Sequence, residues 1–382
     1  MKIVIAIDSF KGSMTSMEAG TAVRDAVMNI CNDVQAVIKP VADGGEGMTE
    51  ALTYGLGGSF VYTDVTGPLG DPVRARYGIL PDKATAVMEM AEAAGIMLVK
   101  EKDPWNASTY GVGEMIIDAV SRGIRTFIMG IGGSATTDGG TGMLKALGIK
   151  FLDGSGNEIS EGAGDLDRIA EIDTEGMISE LSECEFRVAC DVKNPLYGEN
   201  GAVYIFGPQK GVKESEKAIL DSKMRHYASM TEKATGADHS CDEGAGAAGG
   251  LGFAFSSFFP HVKLQSGIKI ALQAIELEAE MTDADLVITG EGRLDGQTAM
   301  GKVPVGIAKL AKKYDVPVIA FAGCIGDGAE LCRKEGIDDF FAITPEGMEL
   351  ETAMKKDVAE NNMKKTVERE LLLFMDKKGM KL

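Results

Sequence analysis

The residues best suited to chemistry in this 382-residue chain sit where short apolar runs stop. Thr126, Phe127, Ile128, Met129 and Ile131 read as a buried strand. Gly132, Gly133, Ser134, Ala135, Thr136, Thr137, Asp138, Gly139 and Gly140 follow, and Met143, Leu144, Ala146 and Leu147 open a helix. Strand, glycine loop, helix is the order that turns backbone N–H groups toward an anion. Glycine lets a backbone come close. Ser134, Thr136, Thr137 and Thr141 can donate to phosphate oxygens or cap the helix. Asp138 would repel a bare phosphate, which points to a metal ion or a proton transfer.

Four other stretches have the same style. Asp8-Ser9-Phe10-Lys11-Gly12-Ser13 stands at the end of a buried strand read over 2–8, and Lys11 beside hydroxyls and a glycine suits an anion. Asp43-Gly44-Gly45-Glu46-Gly47 follows a strand read over 34–41, where Asp43 can hold Mg²⁺ or a substrate hydroxyl. Asp191, with Lys193 and Asn194, ends the strand Phe186–Cys190. Glu291, Arg293, Asp295 and Lys302 follow the strand Asp285–Thr289.

These loops need elements to hold them. A helix is expected from about Ser16, with Ala19, Ala22, Val23, Ala26 and Val27 as its apolar stripe. Residues 73–78 and 85–90 read as antiparallel strands, a departure from the strand–helix alternation on either side. After residue 285 the alternation returns, with Pro304 in the first turn of a helix. The simplest organisation is two α/β domains. Residues 1–70 join 281–382 in a discontinuous domain, and 71–280 form an inserted second domain.

Composition limits the function. The net charge is −19, which disfavours nucleic acid and anionic membranes as partners. An anionic small molecule would then depend on individual lysines and arginines in loops. Six cysteines show no CxxC spacing and there are three histidines, so a zinc centre or a histidine-based triad is not expected. No run approaches the length of a membrane span, and the opening apolar run is too short for a signal peptide, so the chain reads as cytoplasmic.

Two motifs mislead. Gly244-Ala-Gly246-Ala-Ala-Gly249 fits GxGxxG, but the polar stretch 236–243 before it is no strand, so a dehydrogenase is rejected. Its glycines remain open to cradling an anion or to close packing. Gly296 to Val303 nearly fits a phosphate-binding P-loop, but Val303 replaces the Mg²⁺-binding hydroxyl. Lys302 is still a reasonable phosphate contact.

Taken together, and in this order, several stretches resemble the type I bacterial glycerate kinases. They are Asp8-Ser9-Phe10-Lys11-Gly12, Ala42 to Gly47, Gly132 to Gly140, Cys190 to Leu196 and Thr289 to Asp295. The resemblance implies ATP-dependent phosphorylation of D-glycerate, with Mg²⁺ accompanying the nucleotide and 2-phosphoglycerate as the usual product. It implies one flavodoxin-like and one restriction-endonuclease-like domain, with the active site in the cleft between them.

On that footing the candidates take roles. Asp191, Lys11 and Asp43 are the catalytic candidates, with Asp191 favoured as base because it stands beside Lys193 and Asn194. Ser9, Lys193, Gly132, Gly133, Ser134, Thr136, Arg293 and Lys302 are candidates for binding substrate or phosphate. Asp138, Glu291 and Asp295 are candidate metal ligands, and Asp43 and Glu46 compete for that role. Two rivals stay open: a kinase for another hydroxy acid or sugar, and a non-catalytic sugar-acid sensor. The sequence leaves open the nucleotide-binding domain and the choice of monomer or homodimer.

Overall fold

The computed structural model describes residues 1–31, 33–42 and 47–379. The chain forms two compact units. The first holds Met1–Asp43, Glu50–Gly57 and Ile268–Leu382; the second holds Gly44–Thr49 and Gly58–Gly267.

The first unit is built on a five-stranded parallel sheet in the order Asp339–Ala342, Val318–Ile325, Leu286–Leu294, Lys2–Ile7, Gln35–Ile38. Counted along the chain, this is the 2-1-3-4-5 order of flavodoxin-like sheets. The direction of winding reverses between Lys2–Ile7 and Leu286–Leu294. Lys2–Ile7 is buried along its whole length, as a strand covered on both faces must be. The helices Ser16–Ile30 and Lys356–Lys378 cover one face, burying Ala19, Val23, Met363, Val367 and Leu371 against Ile5 and Ile288. Thr15 and Glu18 cap the first of these helices reciprocally, which fixes where it starts.

The strand expected to end at Thr289 runs on to Leu294. Gly290, Glu291 and Arg293 are still in register with Phe321, Ala322 and Cys324 of the neighbouring strand. Glu291 and Arg293 are therefore held on a strand, where sequence reading placed a loop. Gly290 makes this possible, since a Cβ there would lie 1.9 Å from the Phe321 carbonyl oxygen. Gly290→Ala is expected to cost about 3 kcal/mol, the upper end for forcing volume into a packed core. Urea unfolding of the variant measures this.

The second unit has a six-stranded mixed sheet in the order Val262–Gln265, Glu185–Ala189, Thr126–Gly130, Thr85–Glu89, Pro72–Ile79, Ser59–Thr66. The first four are parallel and the last two antiparallel. Phe127 and Phe186 stack at 4.6 Å between ring centroids, and Phe255 and Phe259 close around Phe186. Ser59–Thr66 pairs with Pro72–Ile79 along its whole length, so this strand lies in the second unit. Downstream, the helices Gly267–Ala274 and Leu277–Met281 pack with the first unit, where Lys39 Nζ donates to the Ile275 carbonyl at 3.1 Å.

The glycine run 244–252 serves packing. A Cβ at Gly246 would meet the Pro195 carbonyl oxygen at 2.2 Å, and one at Gly252 the Gly244 carbonyl oxygen at 2.2 Å. Among the described residues no helix is long and apolar enough to cross a membrane.

Candidate active site

In the first unit a cavity of about 350 Å³ opens at the carboxyl ends of the parallel strands. It lies at the reversal between Lys2–Ile7 and Leu286–Leu294, where open α/β sheets place their ligands. Asp8, Ser9, Lys11 and Ser13 line it from the first strand's end, Glu291 and Arg293 from the second, and Lys302 from a helix start. Phe10 and Met14 exchange backbone hydrogen bonds of 2.8 and 3.0 Å, closing a tight loop with Lys11 exposed at its tip. Gly12 turns that loop with φ of 74°.

Lys302 is the N-cap of Val303–Lys312 and makes no side-chain cap bond, so that helix start offers its N–H groups to a ligand. Among the described residues, neither Lys11 nor Lys302 has an ion-pair partner. The buried Ser13 hydroxyl also has no hydrogen-bond partner among them. Arg293 pairs with Asp295 at 3.2 Å, and Asp295 also accepts from the Gln297 N–H at 2.9 Å. Glu291 is buried and accepts from the Thr298 hydroxyl. Asp43 and Glu46 lie outside the described residues.

The second unit holds the remaining candidates. Asp191 is exposed just past Glu185–Ala189 and accepts from the Gly267 N–H at 3.2 Å. Lys193 is exposed and pairs with Glu243 at 3.1 Å. Gly132 and Gly133 are exposed, and Gly133 has φ of 73°.

The rest of that loop differs from expectation. Ser134, Thr136 and Asp138 are buried. The Asp138 carboxylate accepts from Thr109 N (2.8 Å), Thr109 Oγ1 (2.7 Å), Gly140 N (3.2 Å) and Gly142 N (3.2 Å). Four internal donors make it a fastener of the loop and leave it no room as a metal ligand. The helix after the loop spans only Thr141–Ala146, and its first N–H groups are consumed by Asp138 and Thr109. Of the loop residues expected to meet an anion, Gly132 and Gly133 are exposed, while Ser134 and Thr136 are buried.

Sequence reading missed two groups. Lys210 is buried, and its Nζ donates to Ser134 Oγ and to the Thr136 carbonyl, each at 2.6 Å. It pins the loop from 74 residues away. Burial pulls its pKa down to about 7, against the attraction of Asp138. Its only sequence signal was a lone cation in Gly207-Pro208-Gln209-Lys210-Gly211. Glu89 is the second. It ends an apolar strand as Asp8 and Asp191 do, a shared position that could have drawn attention to it.

A sequence profile of the glycerate kinase family matches residues 3–374. The chain belongs to the glycerate kinase family. It is 47% identical to a glycerate kinase of Bacillus subtilis (strain 168) over 357 residues, 93% of each chain. It is also 47% identical to the glycerate 2-kinase of Escherichia coli (strain K12) over 345 residues, 90% of each chain. A crystal structure from Salmonella typhimurium LT2, assigned as glycerate kinase 2, superposes with a TM-score of 0.91 at 41% identity and full coverage of both chains. The family consists of phosphotransferases, and this chain is an enzyme of that class.

In this glycerate kinase family member Glu89 titrates near neutrality. Burial pushes its carboxyl up to about 7, although the Thr49 N–H donates to it at 3.0 Å and favours the charge. The folded protein therefore keeps a proton that the unfolded chain releases near the ordinary value of 4.5. Stability must fall as pH rises across that window, by about 3 kcal/mol at full size. Glu89→Gln keeps the acceptor for Thr49 and removes the titration. Urea unfolding at pH 5 and pH 8 should show the wild type losing stability relative to the variant; parallel curves would remove Glu89 as the cause.

Proposed function

We propose that this protein transfers the terminal phosphoryl group of ATP to the 2-hydroxyl of D-glycerate. The observation that carries the reading is the first unit's cavity, where Lys11 and Lys302 stand without ion-pair partners, among the described residues, at the switch point of a parallel sheet. In a chain of net charge −19 such cations suit a polyanion. Family membership supplies glycerate as acceptor, and the name of the Escherichia coli relative favours the 2-position.

Phosphoryl transfer relies on positioning and charge neutralisation more than on covalent work by the protein. Lys11 and Lys302 take phosphate oxygens, with Ser9 and Ser13 as neutral donors. Arg293, on leaving Asp295, can grip a phosphate or carboxylate through two N–H groups. In the second unit Asp191 receives the proton of the reacting hydroxyl. Lys193 attracts the glycerate carboxylate, because an exposed pair such as Lys193–Glu243 is worth at most about 1 kcal/mol. Gly132 and Gly133 offer backbone N–H groups.

The residues present also fit Mg²⁺. Asp8 and Glu291 both line the cavity, and Mg²⁺ takes one or two carboxylates alongside phosphate oxygens. Asp295, committed to Arg293 and Gln297, ranks behind them. Bound there, the ion would neutralise charge on the phosphates.

The test is ADP release with Mg-ATP across a panel of hydroxy acids and sugars. D-glycerate is expected to exceed every other acceptor in kcat/KM by about a hundredfold, within the range by which a site separates close analogues. An acceptor that outperforms it would reassign the substrate.

A further inference from the structure

The cavity is too large and too apolar for phosphates alone. Beside its cations it is lined by Phe10, Ile343, Leu350, Ala353 and Met354. Leu350 is 67% exposed and Met354 38%, so a row of apolar side chains faces an open, charged pocket. Leu350 and Ala353 belong to the short helix Leu350–Ala353, which follows the last strand of the sheet. D-glycerate carries two hydroxyls, a carboxylate and three carbons, and has no apolar face to set against such a wall. A volume of about 350 Å³ lies in the range that encloses a whole organic ligand. Cations at one side and aliphatic side chains at the other match a ligand with a polyanionic end and a flat, weakly polar one. Met354 adds an adaptable surface for a ring.

We infer that the first unit is the nucleotide-binding half of the enzyme, with the nucleotide's phosphates at Lys11 and Lys302 and its base against Leu350, Ala353, Met354 and Ile343. This rests on the kinase reading above and adds to it the unit, the orientation and the base-binding wall.

Cys324 reports on this site. It is exposed and lines the cavity, and it is placed opposite Arg293 in the sheet register. Cys241 is also exposed and belongs to the second unit, so it serves as an internal control. The wild-type enzyme is alkylated with iodoacetamide, and modification of each cysteine is followed by peptide mass spectrometry. Saturating ADP is expected to slow modification of Cys324 about tenfold or more while Cys241 is unchanged, since a bound nucleotide buries most of its pocket. D-glycerate and pyrophosphate should protect Cys324 far less. Leu350→Ser, at an exposed position that the fold does not need, should weaken ADP binding about tenfold in calorimetry with the KM for D-glycerate unmoved.

Protection by D-glycerate in place of ADP would overturn the inference and leave the kinase intact. So would pyrophosphate protecting as well as ADP, or Leu350→Ser binding ADP normally. If ADP protects Cys324 but no glycerate-dependent turnover exists, the nucleotide site stands and the kinase reading falls.

Discussion

Asp191→Asn should lower kcat about a thousandfold, within the range for losing a general base, and leave the ADP affinity within about threefold of wild type. A thousandfold corresponds to about 4 kcal/mol of transition-state stabilisation. Asp191 projects at the end of Glu185–Ala189, exposed, where a substrate can reach it. The substitution is isosteric and keeps an oxygen to accept from the Gly267 N–H. What it removes is the negative charge and the basicity that, in the proposed role, draw a proton from the glycerate hydroxyl. The melting temperature should therefore stay within about 2 °C, as for ordinary surface changes. Steady-state kinetics with calorimetry of ADP binding separates these terms. Turnover near the wild-type value would take Asp191 out of the mechanism.

The second large effect is expected at the two lysines. Lys302→Met should raise the KM for ATP between about tenfold and a hundredfold, the size of a lost charge-assisted hydrogen bond. Lys302 makes no side-chain cap bond at the start of Val303–Lys312, so removing its charge should leave the helix in place. Lys11→Met should act in the same direction, because Lys11 stands at the tip of the loop closed by Phe10 and Met14. With both lysines on the nucleotide's phosphates, neither change should move the KM for D-glycerate much. If the KM for D-glycerate rises and that for ATP does not, the lysines serve the acceptor's carboxylate.

Much of the scaffold was legible in the sequence because its signals are local. The strand read over 2–8, the apolar stripe of the helix expected from about Ser16 and Pro304 at a helix start each rest on residues close together in the chain. The end of Leu286–Leu294 was not legible, since Gly290-Glu291-Gly292 looks like a turn until the neighbouring strand is present to pair with it. Strand order is likewise non-local: Lys2–Ile7 pairs with residues more than 280 positions away.

The site divides in the same way. Ser9, Lys11, Arg293 and Lys302 could be picked from residue type and position at strand ends, and the fold brings them to one cavity. The glycine loop 132–140 could not be apportioned. Its richness in hydroxyls and glycines suggested ligand binding throughout, yet most of it is consumed internally. Asp138 fastens the loop to Thr109, and Lys210 fastens it through Ser134 and Thr136. Nothing local distinguishes a hydroxyl that faces a ligand from one that, like that of Ser134, faces a lysine 76 residues away. Glu89 was missed because a single acid after an apolar run looks like a strand terminus, and its raised pKa comes from burial that only the fold reveals.

The most direct test of the central claim is the identity of the product. Purified protein is incubated with Mg-ATP and D-glycerate, and the mixture is read by phosphorus and proton NMR. The account predicts a phosphomonoester whose phosphorus couples to the single proton on C2. Coupling to the two protons of C3 would contradict the 2-hydroxyl assignment, and the absence of any glycerate phosphoester alongside ATP would contradict the proposed activity itself.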